Sequence, residues 1–177
     1  RKNGAKIFSD YTSSFPENFE NILTQETFED KEKIEKAKLA LIDLRLEIPY
    51  YKRRIRDHFD QLERDMRNVD AEPYIKNSAL QGFLKNKDDS KEFFGRFFII
   101  QENILNDYLS LFSLMEEAFG TYQYDKKGQV LFIHDEHIEK YNNIIESIQE
   151  NALQEEEWNA AAVQKELEMV NKIKNSE

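Results

Sequence analysis

The chain has no cysteine, which excludes a disulfide framework, a thiol nucleophile, a thiolate zinc site and an iron–sulfur cluster. Five glycines and three prolines in 177 residues are too few turn formers for a hairpin-rich β-sandwich. Long apolar runs are missing as well. The longest uncharged stretches, such as Tyr108–Met115, are about eight residues, whereas a membrane-spanning helix needs roughly 20. Positive charge is scarce: 25 basic residues face 35 acidic ones, a formal net charge of −10. Such a surface disfavours nucleic acid, whose phosphates are neutralised by clustered Lys and Arg.

What the chain does have is aromatic mass. Thirteen Phe and eight Tyr are a payload suited to burial and exclude a disordered chain. At this length one domain is expected, burying roughly 70% of its unfolded surface without staples. Residues 1–13, opening on Arg1-Lys2-Asn3-Gly4, are read as a polar tether to a single helical-bundle domain over 14–177. Arg1 rather than Met opens the chain, so an upstream segment is expected, either a signal or an anchor. Absence of cysteine suits the cytosol and an extracytoplasmic space alike.

Periodicity predicts an all-α fold. Pro16 sits well in a first helical turn, and a short helix is expected from about Pro16 to Gln25. A long helix follows over about Glu29–Val69, with Ile34, Ala37, Leu41, Leu44, Ile48, Tyr51 and Ile55 on a heptad seam. Leu39, Ile42 and Leu46 add a second stripe, a face for two neighbours rather than one. The seam keeps its phase across Pro49, which predicts a kink near Leu46–Pro49 rather than a helix end. Ala71-Glu72-Pro73 breaks the pattern. A shorter helix is expected over about Pro73–Lys85, then a polar turn, Asn86-Lys87-Asp88-Asp89-Ser90, then a strongly apolar helix over about Lys91–Phe119. Gly120 is a natural helix C-cap. Two β-prone segments flank Asp125-Lys126-Lys127-Gly128, a hairpin signal over 121–133. Asp135 is expected to cap a last helix reaching Lys172, with Ile138, Tyr141, Ile145, Ile148 and Ala152 inward. A bend or break is expected at Glu155–Trp158, before a second register of Ala160, Val163, Leu167 and Val170. Three long helices with short connections imply an elongated antiparallel bundle.

Few residues point to chemistry. His134-Asp135-Glu136-His137 is the one cluster of metal-ligand types, lying where strand meets helix. The same residues also read as an N-cap, a first-turn acid and two exposed imidazoles, and this is the preferred reading: His134 and His137 are weak metal candidates, with no cofactor expected. None of the histidines follows a Glu by three residues, which argues against a di-iron bundle. His58 is expected to point outward while its neighbour Phe59 points in. Lys52-Arg53-Arg54 with Arg56 forms the only basic run, and pairs Arg53–Asp57 and Arg56–Asp60 at helical spacing would turn it into a solvated face. There is no nucleophile elbow, phosphate-cradling loop or Ser-His-Asp set to defend, so no enzyme is expected. Tyr122, Tyr124 and Phe132 on the hairpin and Trp158 in its Glu-rich stretch are the candidate binding residues, aromatics of the kind that anchor interfaces.

Tyr124-Asp125-Lys126-Lys127-Gly128-Gln129-Val130-Leu131-Phe132, followed by Tyr141-Asn142-Asn143-Ile144-Ile145, resembles a stretch in small bacterial inner-membrane lipoproteins of unknown function. In these, long helices precede a Gly-containing hairpin and a helix bearing Tyr-Asn. Phe8 and Phe15 before a short helix fit more loosely, and the resemblance covers roughly the last third of the chain. It implies a lipidated cysteine upstream of Arg1, an extracytoplasmic rod tethered to a membrane, and no catalytic residues. The leading expectation is therefore a non-enzymatic extracytoplasmic bacterial domain that binds or spaces, with an unidentified protein partner, a membrane contact only through that anchor, and a monomeric or weakly dimeric state. The alternative is a cytosolic or secreted adaptor whose exposed seam receives a partner helix. Metal-dependent activity at His134 and His137 stands third.

Overall fold

The computed structural model describes residues 6, 7, 9–11, 13 and 22–174. The fold is all-α, with long helices packed on each other and, among the described residues, one two-stranded antiparallel sheet. The elements run α1 (Gln25–Phe28), α2 (Lys31–Asn68), α3 (Pro73–Glu117), β1 (Tyr122–Tyr124), β2 (Val130–Phe132) and α4 (Asp135–Lys174). Contacts divide the chain into two compact units, Arg1–Ile99 and Ile100–Glu177.

In the first unit, α2 starts where Asp30 caps it: Oδ1 accepts from the backbone N–H of Glu32 at 2.9 Å and of Lys33 at 3.3 Å, satisfying donors that have no partner within the helix. Its buried residues are Ile34, Ala37, Leu41, Leu44, Ile48, Tyr51 and Ile55, the predicted heptad seam. The helix runs on through Pro49, which is exposed. Most of the short helix expected over Pro16–Gln25 lies outside the described residues. The described part of the expected tether is not solvated throughout. Ile7 and Tyr11 are buried, and the Tyr11 ring stands edge-on to Tyr51, Phe97 and Phe98 at centroid distances of 5.2, 5.6 and 5.4 Å. Beside it Arg54 holds the Asp10 carboxylate at 2.9 Å, and the Tyr51 hydroxyl donates to the Asp10 carbonyl at 3.3 Å.

The largest departure from expectation is α3. Two helices joined by a polar turn at Asn86–Ser90 were expected, and one continuous helix of 45 residues is found. The reason is tertiary. Lys87, its side chain 11% exposed, reaches across to Asp60 Oδ1 at 2.9 Å and Glu63 Oε2 at 2.6 Å on α2, and Phe94 packs against Phe59 at 6.2 Å. These contacts hold in helical form a stretch whose own propensity is poor. Partners farther along α3 sit farther back along α2, so the two helices are antiparallel.

In the second unit, Leu105, Phe112 and Met115 of α3 and Ala118 just after it are at most 1% exposed. Gly120 follows in a left-handed conformation, φ +81°, as a C-terminal cap requires. The strands pair Tyr122 with Phe132, Gln123 with Leu131 and Tyr124 with Val130. Asp125 closes the turn, its Oδ1 accepting from the backbone N–H of Lys127 at 2.7 Å and of Gln129 at 2.9 Å, and Gly128 supplies the positive φ of +77°. Asp135, expected as the cap of α4, is its first residue instead. The bend expected at Glu155–Trp158 does not interrupt α4. Its inner face is also set differently: Asn151 and Trp158 are buried, whereas Ala152 is exposed and Ile138 is 40% exposed. Among the described residues no helix is long and apolar enough to cross a membrane.

Candidate functional site

The hairpin rests on the start of α4. Alternation along each strand puts Tyr122, Tyr124, Val130 and Phe132 on one half-buried face and leaves Gln123 and Leu131 outward. From that inner face runs a chain of ring contacts: Phe119 to Tyr122 at 6.5 Å, Tyr122 to Phe132 at 5.8 Å, Phe132 to Tyr141 at 5.4 Å and to His137 at 6.0 Å. The three hairpin aromatics singled out from the sequence are thus brought together, but turned inward, and Tyr124 Oη is shut off from water. Trp158 is set apart from them on α4 and is 7% exposed. Among the side chains that meet solvent here are Leu131, 47% exposed, and Ile133, 71% exposed.

The two histidines differ. His134 is exposed. His137, expected at the surface, is enclosed: its side chain is 12% exposed, its Nε2 lies 3.7 Å from Glu117 Oε1 and its buried Nδ1 has no hydrogen-bond partner. The rings are 5.5 Å apart. Lys140 draws the nearby acids to itself, at 2.9 Å from Glu136 and 3.3 Å from Glu117. Its hydrogen bond holds the Glu136 carboxyl below the usual range. Among the described residues no group of three or more His, Asp or Glu side chains is placed to hold a metal ion.

Polar residues that sequence reasoning passed over join α3 to α4. Asp107 Oδ2 accepts from Asn151 Nδ2 at 2.7 Å and from Ser147 Oγ at 2.9 Å, and Gln101 Nε2 donates to Glu155 Oε1 at 2.7 Å. Gln101 and Asn151 are both buried. Tyr108 sits beside Asp107 and Glu155, and burial first, then those acids, pushes its hydroxyl pKa up. A buried amide at an inward helix position fixes register, because sliding by a turn strands it without a partner. The signal available in the sequence was an inward spacing that ran through Asn151 and Trp158 rather than through Ala152.

The basic run of α2 is also differently wired. The expected pairs Arg53–Asp57 and Arg56–Asp60 do not form among the described residues. Arg54 takes Asp10 and lies 5.5 Å from the ring centroids of both Tyr50 and Tyr51, Arg56 approaches Asp57 at 3.8 Å, and Asp60 faces Lys87 and Lys91. Hydrogen bonding to Asp10 raises the Arg54 pKa. His58 and Phe59 are both half-buried rather than divided between outside and inside.

Opposite the buried seam of α2, Leu39, Leu46 and Tyr50 stand 57%, 67% and 53% exposed. At about 100° per residue they fall within a narrow sector, on the side away from Leu41, Leu44 and Ile48. The outer side of α4 repeats the pattern with Leu153, Val163 and Leu167, 60%, 58% and 53% exposed. Val163 and Leu167 belong to the second register read from the sequence, and that register faces water; the side chain of Val170 lies outside the described residues. An open depression of about 250 Å³ is lined by Ile22, Thr27, Lys33, Lys36, Ala37 and Ala40. Its Lys33 is bonded to Glu26. No protein-family model, curated protein or solved structure matches the chain.

Proposed function

We propose that this chain is a non-enzymatic helical module that works by binding, docking a partner helix on the outward apolar stripe of α2. The observation that carries the proposal is the stripe itself. Three large apolar side chains, each more than half exposed, lie along one side of a regular helix whose opposite side is fully engaged in the core. A helix apolar on two sides has surface for two neighbours, and a helix laid along Leu39, Leu46 and Tyr50 would meet anchors at the spacing that groove-binding helices use. A photo-reactive residue introduced at position 39, 46 or 50 tests it in the cell of origin, beside the exposed polar position Ser113 as control. Adducts at the stripe and none at Ser113 support the assignment, and background labelling at all three stripe positions removes it.

The setting we propose is the outer side of a bacterial membrane, with the module held there by a lipid anchor. The support is the resemblance of the Tyr124–Phe132 hairpin and the Tyr141–Ile145 helix to small inner-membrane lipoproteins. Feeding cells a clickable palmitate analogue and recovering the natural protein reads the anchor directly. Absence of label would leave the alternative, a cytosolic or secreted adaptor with the same docking stripe.

A further inference from the structure

We propose that Gly82–Gly95 of α3 is a conditional helix, kept helical by a charge clamp from α2 and released when the clamp loses charge, while the rest of α3 stays folded. Three observations lead there. The first is composition. Within this stretch lie Gly82, Asn86, Asp88, Asp89, Ser90 and Gly95, residues that weaken a helix interior by backbone freedom or by competing local hydrogen bonds. Asn86 Nδ2 already donates to the Gly82 carbonyl at 2.7 Å. Nothing in the packing calls for either glycine, since a Cβ at position 82 or 95 would meet no atom within 4 Å.

The second observation is thin burial. From Arg56 to Arg96 no residue is fully buried, although Tyr51, Ile55, Phe97 and Phe98 on either side are. A stretch with few buried apolar contacts is where a protein opens first. The third is where the charges sit. Lys87 contacts Asp60 and Glu63, Lys91 stands 3.8 Å from Asp60, and Arg67 bonds Glu63 at 2.7 Å. With Arg64 close to Asp60, these are the charged groups that face Lys87 from α2 and from its own helix. The cluster sits at the centre of the weakest stretch, so the ionic contacts take over where apolar packing stops.

The clamp has a defined pH range. Hydrogen bonds from Lys87 hold the carboxyls of Asp60 and Glu63 below their usual values, and those acids hold the Lys87 ammonium above its own. Carboxyls lowered in the folded state stabilise it above about pH 4, and that contribution is lost as pH falls through their lowered values. The raised ammonium contributes below about pH 10 and is lost above its folded value.

Hydrogen exchange read by mass spectrometry on the whole chain, comparing the natural protein with Lys87→Met at pH 7, tests the device. Exchange over 82–95 is expected to quicken by roughly tenfold or more, with 100–117 unchanged. Adding Gly82→Ala and Gly95→Ala to Lys87→Met is expected to restore protection by about fivefold per substitution. In the natural protein the same segment opens as pH falls below about 4, and in Lys87→Met that step is smaller, kept only by Arg67 on Glu63 and by Lys91 and Arg64 beside Asp60. Unchanged exchange in Lys87→Met, equal acceleration along all of α3, or no recovery with the two alanines would each overturn the proposal.

Discussion

Tyr11→Ala puts the packing of the first unit to a decisive test. Tyr11 is 1% exposed, and its ring meets Tyr51, Phe97 and Phe98 edge-on at 5.2, 5.6 and 5.4 Å. Truncating a buried aromatic to alanine costs about 3–5 kcal/mol, and edge-to-face pairs contribute about 0.5–1.5 kcal/mol each beyond area. Part of the pair contribution is already inside the truncation figure, so the expected loss is about 4 kcal/mol. For a chain of this size that lowers the melting midpoint by on the order of 10 °C. Tyr11→Leu keeps much of the volume and gives up the ring contacts, for an expected loss of about 1–2 kcal/mol. The assay is urea unfolding followed by circular dichroism at 222 nm, with the fluorescence of Trp158 recorded in parallel as a separate report from the second unit. A change within about 0.5 kcal/mol for Tyr11→Ala, the usual range for exposed substitutions, would mean that the residues around Tyr11 are a solvated tether after all and that the Tyr51–Phe97–Phe98 cluster closes without them.

Asp107→Leu leaves Asn151 and Ser147 without their acceptor and is expected to destabilise by about 2–4 kcal/mol; Asp107→Leu with Asn151→Leu should recover most of it, and a strictly additive double-mutant cycle would refute the coupling. Gly120→Ala places a side chain at φ +81° and is expected to cost about 1–2 kcal/mol in denaturant unfolding through backbone strain alone, since no atom lies within 4 Å of the new Cβ. Burial holds the His58 pKa below its usual value, so its imidazole should titrate below about 6.5 by proton NMR; stability tied to the neutral ring is present above that pH and declines as pH falls through the lowered folded value. A midpoint at or above 6.5 would show the ring to be solvated.

Seven inward residues from Ile34 to Ile55 made α2 legible, because one unbroken heptad seam decides both the type of element and its rotation. The hairpin was legible for a local reason: Asp125 and Gly128 carry the turn chemistry themselves, and nothing distant is needed. The continuity of α3 was not. Asn86–Ser90 has the composition of a turn, and Asp60, Glu63 and Phe59, on another helix, reverse that preference. The inner face of α4 was missed for a related reason. An apolar count favours Ala152, whereas Asn151 goes inward because Asp107 waits for it. For the candidate sites, the aromatics Tyr122, Tyr124 and Phe132 were legible as hairpin residues, and the structure sets them on one face by the alternation of each strand. Which face the protein covers depends on where α4 starts, and periodicity within the strands does not carry that.

The contact of Tyr11 with Phe97 and Phe98 also bears on how the protein is made. Its members are about 86 residues apart in sequence, whereas the Lys87 contacts with α2 span 24 and 27 residues. At about 5–20 residues per second, Tyr11 is added roughly 4 to 17 s before Phe97. For the later part of that interval, once α2 has been made, the growing chain carries Tyr11 and Tyr51 without Phe97 and Phe98. A chaperone that shelters apolar surface during synthesis has its natural opportunity there, and slowing translation ahead of Phe97 would lengthen it.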